Sequence, residues 1–147
     1  DLLKWFQIME AYENGGHAYH STMPTDTLAK FRDTLIETET YGFEKTRQEQ
    51  IDLGREVRQL LENKGFKSVA AKGFQAPSVV VSYTNDPDIK SGKVFMEQGL
   101  QIAAGVPLEC DEGENFMTFR IGLFGLDKLH NLDRTVNHLK KALDAIA

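Results

Sequence analysis

Ser78-Val79-Val80-Val81-Ser82-Tyr83-Thr84 is the strongest strand signal in the chain. Its centre is β-branched, and Pro77 on one side and Asn85-Asp86-Pro87 on the other bound it, as residues that interrupt a ladder should. A second strand is predicted over Phe116-Met117-Thr118-Phe119-Arg120-Ile121-Gly122-Leu123-Phe124, with Gly122 and Gly125 as breaks. Between the two, residues 89–98 fit a helix with Val94 and Phe95 inward and Gly99 at its end. Leu100-Gln101-Ile102-Ala103 alternates like a strand, and residues 105–115 form an acidic loop. Upstream, Phe66-Lys67-Ser68-Val69-Ala70 reads as another short strand.

Helices flank this strand-rich half. Leu2, Trp5, Phe6 and Met9 follow the spacing of one apolar helical face, and Asn14-Gly15-Gly16 ends it. Pro24 suits the first turn of a second helix, striped by Leu28, Phe31 and Leu35 and closed by Gly42. Ser21, Thr22 and Thr25 are each possible N-caps for it. A long helix is expected over residues 43–64, with Ile51, Val57, Leu60 and Leu61 inward and Gly65 just past its end. Its opposite face carries Glu44, Lys45, Arg47, Gln48, Glu49, Arg55, Glu56 and Arg58, which reads as solvent surface. A last helix presents Leu132, Val136, Leu139, Leu143 and Ile146 on one face, with Asn131 or Asp127 as cap. The order is helices, strand, strand, helix, strand, strand, helix. It predicts an α+β fold: a small, mostly antiparallel sheet with helices packed on one face.

Composition sets outer bounds. With 147 residues, 41% of them hydrophobic, the chain can bury one real core. A net charge of −5 offers no general attraction to nucleic acid or an anionic membrane, both polyanions. No apolar run approaches the roughly 20 residues that span a bilayer. The start, Asp1-Leu2-Leu3-Lys4-Trp5-Phe6, lacks the basic and apolar regions of a secretory leader. A single cysteine, Cys110, cannot form an internal disulfide, which fits a cytoplasmic protein. Acidic neighbours Glu109, Asp111 and Glu112 disfavour its thiolate, so Cys110 is expected to be inert.

Common chemical motifs are absent. There is no phosphate loop ending in Lys-Ser/Thr, no paired CxxC and no His-Glu-x-x-His. His17 and His20 have no third ligand nearby in sequence, so no metal site is expected. His130 and His138 read as ordinary helix residues. Two places stand out. Tyr19-His20-Ser21-Thr22-Met23-Pro24 puts hydroxyls before a helix, which suits either a plain N-cap or a phosphate site. Arg120 interrupts an apolar strand and shares a face with Thr118 and Gly122. It is either an exposed strand residue or a planar fork aimed at a carboxylate.

Together these residues resemble the class V aminotransferases, the group that includes alanine–glyoxylate and serine–pyruvate aminotransferases. Tyr19-His20-Ser21-Thr22-Met23-Pro24 is similar to that family's Tyr-His-x-Thr-x-Pro stretch. Phe119-Arg120-Ile121-Gly122-Leu123-Phe124-Gly125 is similar to its Arg-Ile-Gly-x-x-Gly strand. The resemblance covers nearly the whole chain and implies a fold type I C-terminal small domain over residues 21–147, with residues 1–20 as a connecting segment and the start of the small domain. It implies that Arg120 binds the α-carboxylate of a small amino-acid or keto-acid substrate. It implies that Tyr19 and Thr22 reach the phosphate of pyridoxal 5′-phosphate across a homodimer interface, and that Gly122 and Gly125 let the backbone turn near the substrate. The family's Schiff-base lysine and cofactor-ring aspartate find no match here; Lys30, Lys72 and Lys93 all lie in other contexts. With Asp1 rather than Met at the start, the expectation is a piece of a larger transaminase, inactive alone. A stand-alone α+β module that binds small molecules or has a regulatory role is the alternative, and a dimerising module built around Trp5 and Phe6 is another.

Overall fold

A computed structural model describes residues 1–109 and 111–146, so the reading of Cys110 lies outside the described residues. The chain divides into two compact units, Asp1–Glu37 and Thr38–Ala147. In the first, α1 (Leu2–Glu13) is capped by the Asp1 carboxylate, which accepts from the Leu3 amide at 3.0 Å. Its predicted stripe of Leu2, Trp5, Phe6 and Met9 is exposed. The helix α2 (Thr25–Tyr41) starts in this unit right after Pro24, whose carbonyl accepts from the Leu28 amide at 3.0 Å.

The second unit holds the core. The helix α3 (Phe43–Asn63) ends as Gly65 directs. The Gly65 amide bonds to Glu62 O and the Phe66 amide to Leu61 O, both at 2.9 Å, which satisfies carbonyls the helix end would leave open. Around the preceding corner, the Tyr41 hydroxyl donates to both Glu49 carboxylate oxygens, at 2.8 and 2.6 Å. Lys45 lies over the Tyr41 ring at 4.1 Å, and the His130 ring lies at the same distance. The bond to Glu49, then burial, holds the Tyr41 phenol above its ordinary pKa.

The sheet has three strands in the order β1 (Val79–Tyr83), β3 (Thr118–Gly122), β2 (Ala103–Ala104). Both pairings are antiparallel, as predicted; Val80 faces Ile121 and Ser82 faces Phe119. Alternation sends Val80, Phe119 and Ile121 to one face. There they meet Leu53, Val57 and Leu61 of α3, with Ile89, Phe95, Leu129, Leu139 and Leu143 from helices later in the chain. This is the α+β arrangement expected, with helices gathered over one face of a small sheet.

Three local expectations need correction. Residues 66–70 do not form a full strand: pairing to β1 is limited to a bridge at Ser68 with Ser82, and the chain then bends at Val69. The strand expected over residues 100–103 shrinks to the two-residue β2, because Leu100 and Ile102 pack against the core instead of continuing a ladder. The helix expected over residues 89–98 is two short ones, α4 (Pro87–Ser91) and α5 (Lys93–Glu97). Gly92 separates them at φ 81°, a left-handed turn that costs glycine nothing sterically. The predicted inward pair survives: Phe95 is fully buried and Val94 half-buried. The last helix, α7 (Leu132–Ile146), begins right after Asn131, as one of the two expected caps implies, and a short helix, α6 (Leu126–His130), precedes it. Among the described residues no helix is long and apolar enough to cross a membrane.

Candidate functional site

Arg120 occupies the middle of the central strand, opposite Val81 of β1 and Ala103 of β2. Because Phe119 and Ile121 face the core, Arg120 must face the other way. It is half-buried there, beside the exposed Ala103 and the half-buried Val81. Thr118, on the same side, is fully covered, and its hydroxyl has no hydrogen-bond partner among the described residues.

The Arg120 side chain is held at one point. Its Nε donates to the Ala104 carbonyl at 2.9 Å. No carboxylate lies within ion-pair distance of its Nη atoms among the described residues. A guanidinium fixed through Nε keeps its two terminal nitrogens as a planar fork, the geometry that takes a carboxylate through two parallel bonds. Of the two glycines beyond it, Gly122 stays within β3, opposite Val79, whereas Gly125 takes φ 102° where α6 begins.

Tyr19 and Thr22 lie in the first unit, in the irregular segment between α1 and α2. Both are exposed, and their hydroxyls meet at 3.2 Å. Two hydroxyls one hydrogen bond apart can both turn to a single oxyanion, and that pairing is invisible in a linear reading. The Thr22 hydroxyl thus faces Tyr19 rather than capping α2. His17 and His20 of the same segment are exposed.

A groove of about 830 Å³ lies elsewhere, along α3, and the sequence reading missed it. It is lined by Arg47, Arg55, Arg58 and Lys72 among others. Arg58, expected on the solvent face, is only 8% exposed. Its Nη atoms donate to the carbonyls of Gly54, Ala76 and Val79. Burial pushes the Arg58 guanidinium below its ordinary pKa, while Glu62 pulls the other way. The usable signal was the spacing of Arg47, Ile51, Arg55 and Arg58, which places all four on one stripe of the helix.

No protein-family model matches the chain, and no curated protein matches it. Among solved structures, the fold is similar to that of an alanine–glyoxylate aminotransferase from Nostoc sp., with a TM-score of 0.69 at 18% identity. The match covers 88% of this chain but 33% of that protein, so this chain spans about a third of its length. At that identity the likeness is one of fold: the chain folds like part of an aminotransferase.

Proposed function

We propose that the chain is the C-terminal small domain of a pyridoxal-phosphate-dependent aminotransferase of the class V type, which moves an amino group between a small amino acid and a 2-keto acid. The observation that carries this reading is Arg120. It is a lone, half-buried guanidinium on the face of the central strand away from the core, tied through Nε to Ala104 O, with no carboxylate at its Nη fork among the described residues. The fold likeness to an alanine–glyoxylate aminotransferase supports it, as does the order of the Tyr19–Thr22 and Arg120 motifs along the chain.

The residues present suit one part of the cofactor. The Tyr19 and Thr22 hydroxyls, 3.2 Å apart and exposed, can donate together to its phosphate. In a homodimer they would do so toward the partner subunit's cofactor. When bound, pyridoxal phosphate supplies an electron sink for the substrate α-carbon. This chain's own contribution is positioning. Arg120 would receive the substrate α-carboxylate on its Nη atoms and fix the substrate's orientation, and the β-sheet beneath it would keep the fork from turning. The lysine that carries the proton would come from the rest of the protein.

The test uses the full-length chain. It is titrated with pyridoxal phosphate and assayed for transfer from alanine or serine to glyoxylate or pyruvate. Stoichiometric, yellow cofactor binding with transfer activity is expected. A full-length chain that binds no pyridoxal phosphate and transfers nothing contradicts the reading and favours a small binding module.

A further inference from the structure

We propose that the groove along α3 is a binding site for a small, multiply charged oxyanion, separate from the Arg120 face. The groove encloses about 830 Å³ and is lined by Arg47, Ile51, Arg55 and Arg58 of α3, with Lys72 and Pro77 from the chain that follows it. That volume is in the range of small-ligand sites, roughly 300–1,000 Å³. None of these residues belongs to the sheet that carries Arg120.

Arg58 distinguishes this groove from an ordinary charged surface. It is buried, yet no carboxylate lies within ion-pair distance among the described residues. Three neutral carbonyls hold its Nη atoms, and its Nε has no partner among the described residues. A buried charge is normally balanced by an opposite one, and here the balance is incomplete. Lys72 is exposed and also lacks an ion-pair partner among the described residues.

The other two cations can be recruited. Arg55 pairs with Asp52 at 2.7 Å and Arg47 with Glu44 at 4.0 Å, both along the surface of α3 with each arginine side chain 69% exposed. The Arg47–Glu44 pair is exposed on both sides and weak; Asp52, at 29% exposed, is more covered, but the Arg55 end of its pair remains in solvent. Among the described residues, Glu62 is the one acidic side chain lining the groove, against four cations. In a chain of net charge −5 this is a local reversal of sign. An anion with two or more charges can span Arg58 and Lys72 and draw Arg55 in through its planar fork. Ile51 and Pro77 give an organic body an apolar wall.

The probe is inorganic pyrophosphate, titrated calorimetrically into the full-length chain at fixed ionic strength. The protein is first loaded with pyridoxal phosphate and then desalted, so that the cofactor's own phosphate site is filled and no free cofactor competes for the groove. Arg55→Glu and Lys72→Glu change exposed residues and should leave the fold intact, and Lys140→Glu on α7 is the charge-matched control. Saturable binding is expected, weakened by about tenfold or more in both groove variants and unchanged in Lys140→Glu. An absence of saturable binding overturns the proposal. So does equal weakening in all three variants, or no weakening in either groove variant.

Discussion

The Nε of Arg120 and the carbonyl of Ala104 lie one hydrogen bond apart, at 2.9 Å, between the two strands that pair antiparallel at Ala104 and Phe119. Ala103 is the cross-strand neighbour of Arg120, so the acceptor comes from the next residue along β2. A main-chain acceptor cannot rotate away as a side chain can. The fork beyond Nε is therefore aimed by the sheet itself, a form of positioning that acts before any ligand arrives.

Arg120→Lys tests that aim. Lysine keeps the charge but has no planar fork and no Nε donor for Ala104. In the full-length chain, kcat/KM for an amino-acid substrate should fall by roughly tenfold or more, because hydrogen bonds to a charged group contribute about 1.5–3 kcal/mol. The urea midpoint should barely change, since Arg120 lies outside the core. Full kinetic rescue by lysine would mean that charge alone matters there.

Gly54 lets the chain beyond α3 press against the helix. A Cβ at that position would collide with the Pro77 carbonyl oxygen and lie 2.9 Å from Pro77 Cα, and both neighbours are backbone that cannot swing aside. Gly54→Ala should therefore destabilise the second unit by about 1–3 kcal/mol, despite alanine's better helix propensity. Urea unfolding followed by circular dichroism measures this. An unchanged or raised midpoint would show that the segment at Pro77 yields.

Lys64 and Asp144 join the end of α3 to α7 at 2.8 Å. The hydrogen bond from Lys64 holds the Asp144 carboxyl below its ordinary pKa, with burial opposing. A lowered carboxylate pKa contributes stability above the unfolded-state value and loses it as pH falls through the folded one. Lys64→Met should thus lower the urea midpoint slightly at neutral pH, and the difference should vanish in strong acid. A difference that persists in acid would assign the effect to lost packing of the lysine stem.

Tyr41 has the opposite sign. Its raised pKa means that its bond to Glu49 favours folding below the ordinary tyrosine pKa, and that this contribution disappears as pH rises through the folded value. Tyr41→Phe should remove the alkaline loss attributable to this corner. Spectrophotometric titration of the wild type and Tyr41→Phe shows whether the late-ionising tyrosine disappears with the substitution.

The elements legible in the sequence are those whose burial follows a clean period. Val80 and Ser82 alternate with Val79 and Val81, and Leu139 and Leu143 recur at helical spacing, so β1, β3 and α7 follow from pattern alone. Residues 66–70 have strand composition but meet β1 at a single bridge, and composition does not encode how far a partner extends. Gly92 is tolerable inside one helix by composition, while its left-handed φ divides that helix in two. Arg58 escapes a linear reading because helical period says which residues share a face, not whether a later segment covers that face. Here Ala76 and Val79, 18 and 21 residues on, supply the covering carbonyls. For the candidate site, strand alternation already pairs Arg120 with Thr118. Its tether to Ala104, and the contact of Tyr19 with Thr22, exist only in three dimensions.

The most direct measurement compares two amino donors in the full-length chain, wild type and Arg120→Ala: alanine, and ethylamine, which is alanine without its carboxylate. With alanine, kcat/KM should fall roughly 10–100-fold on substitution; with ethylamine it should stay within about twofold. Equal losses with both donors, or none with alanine, would contradict the assignment of Arg120 as the carboxylate receptor, and with it the observation on which the aminotransferase reading rests.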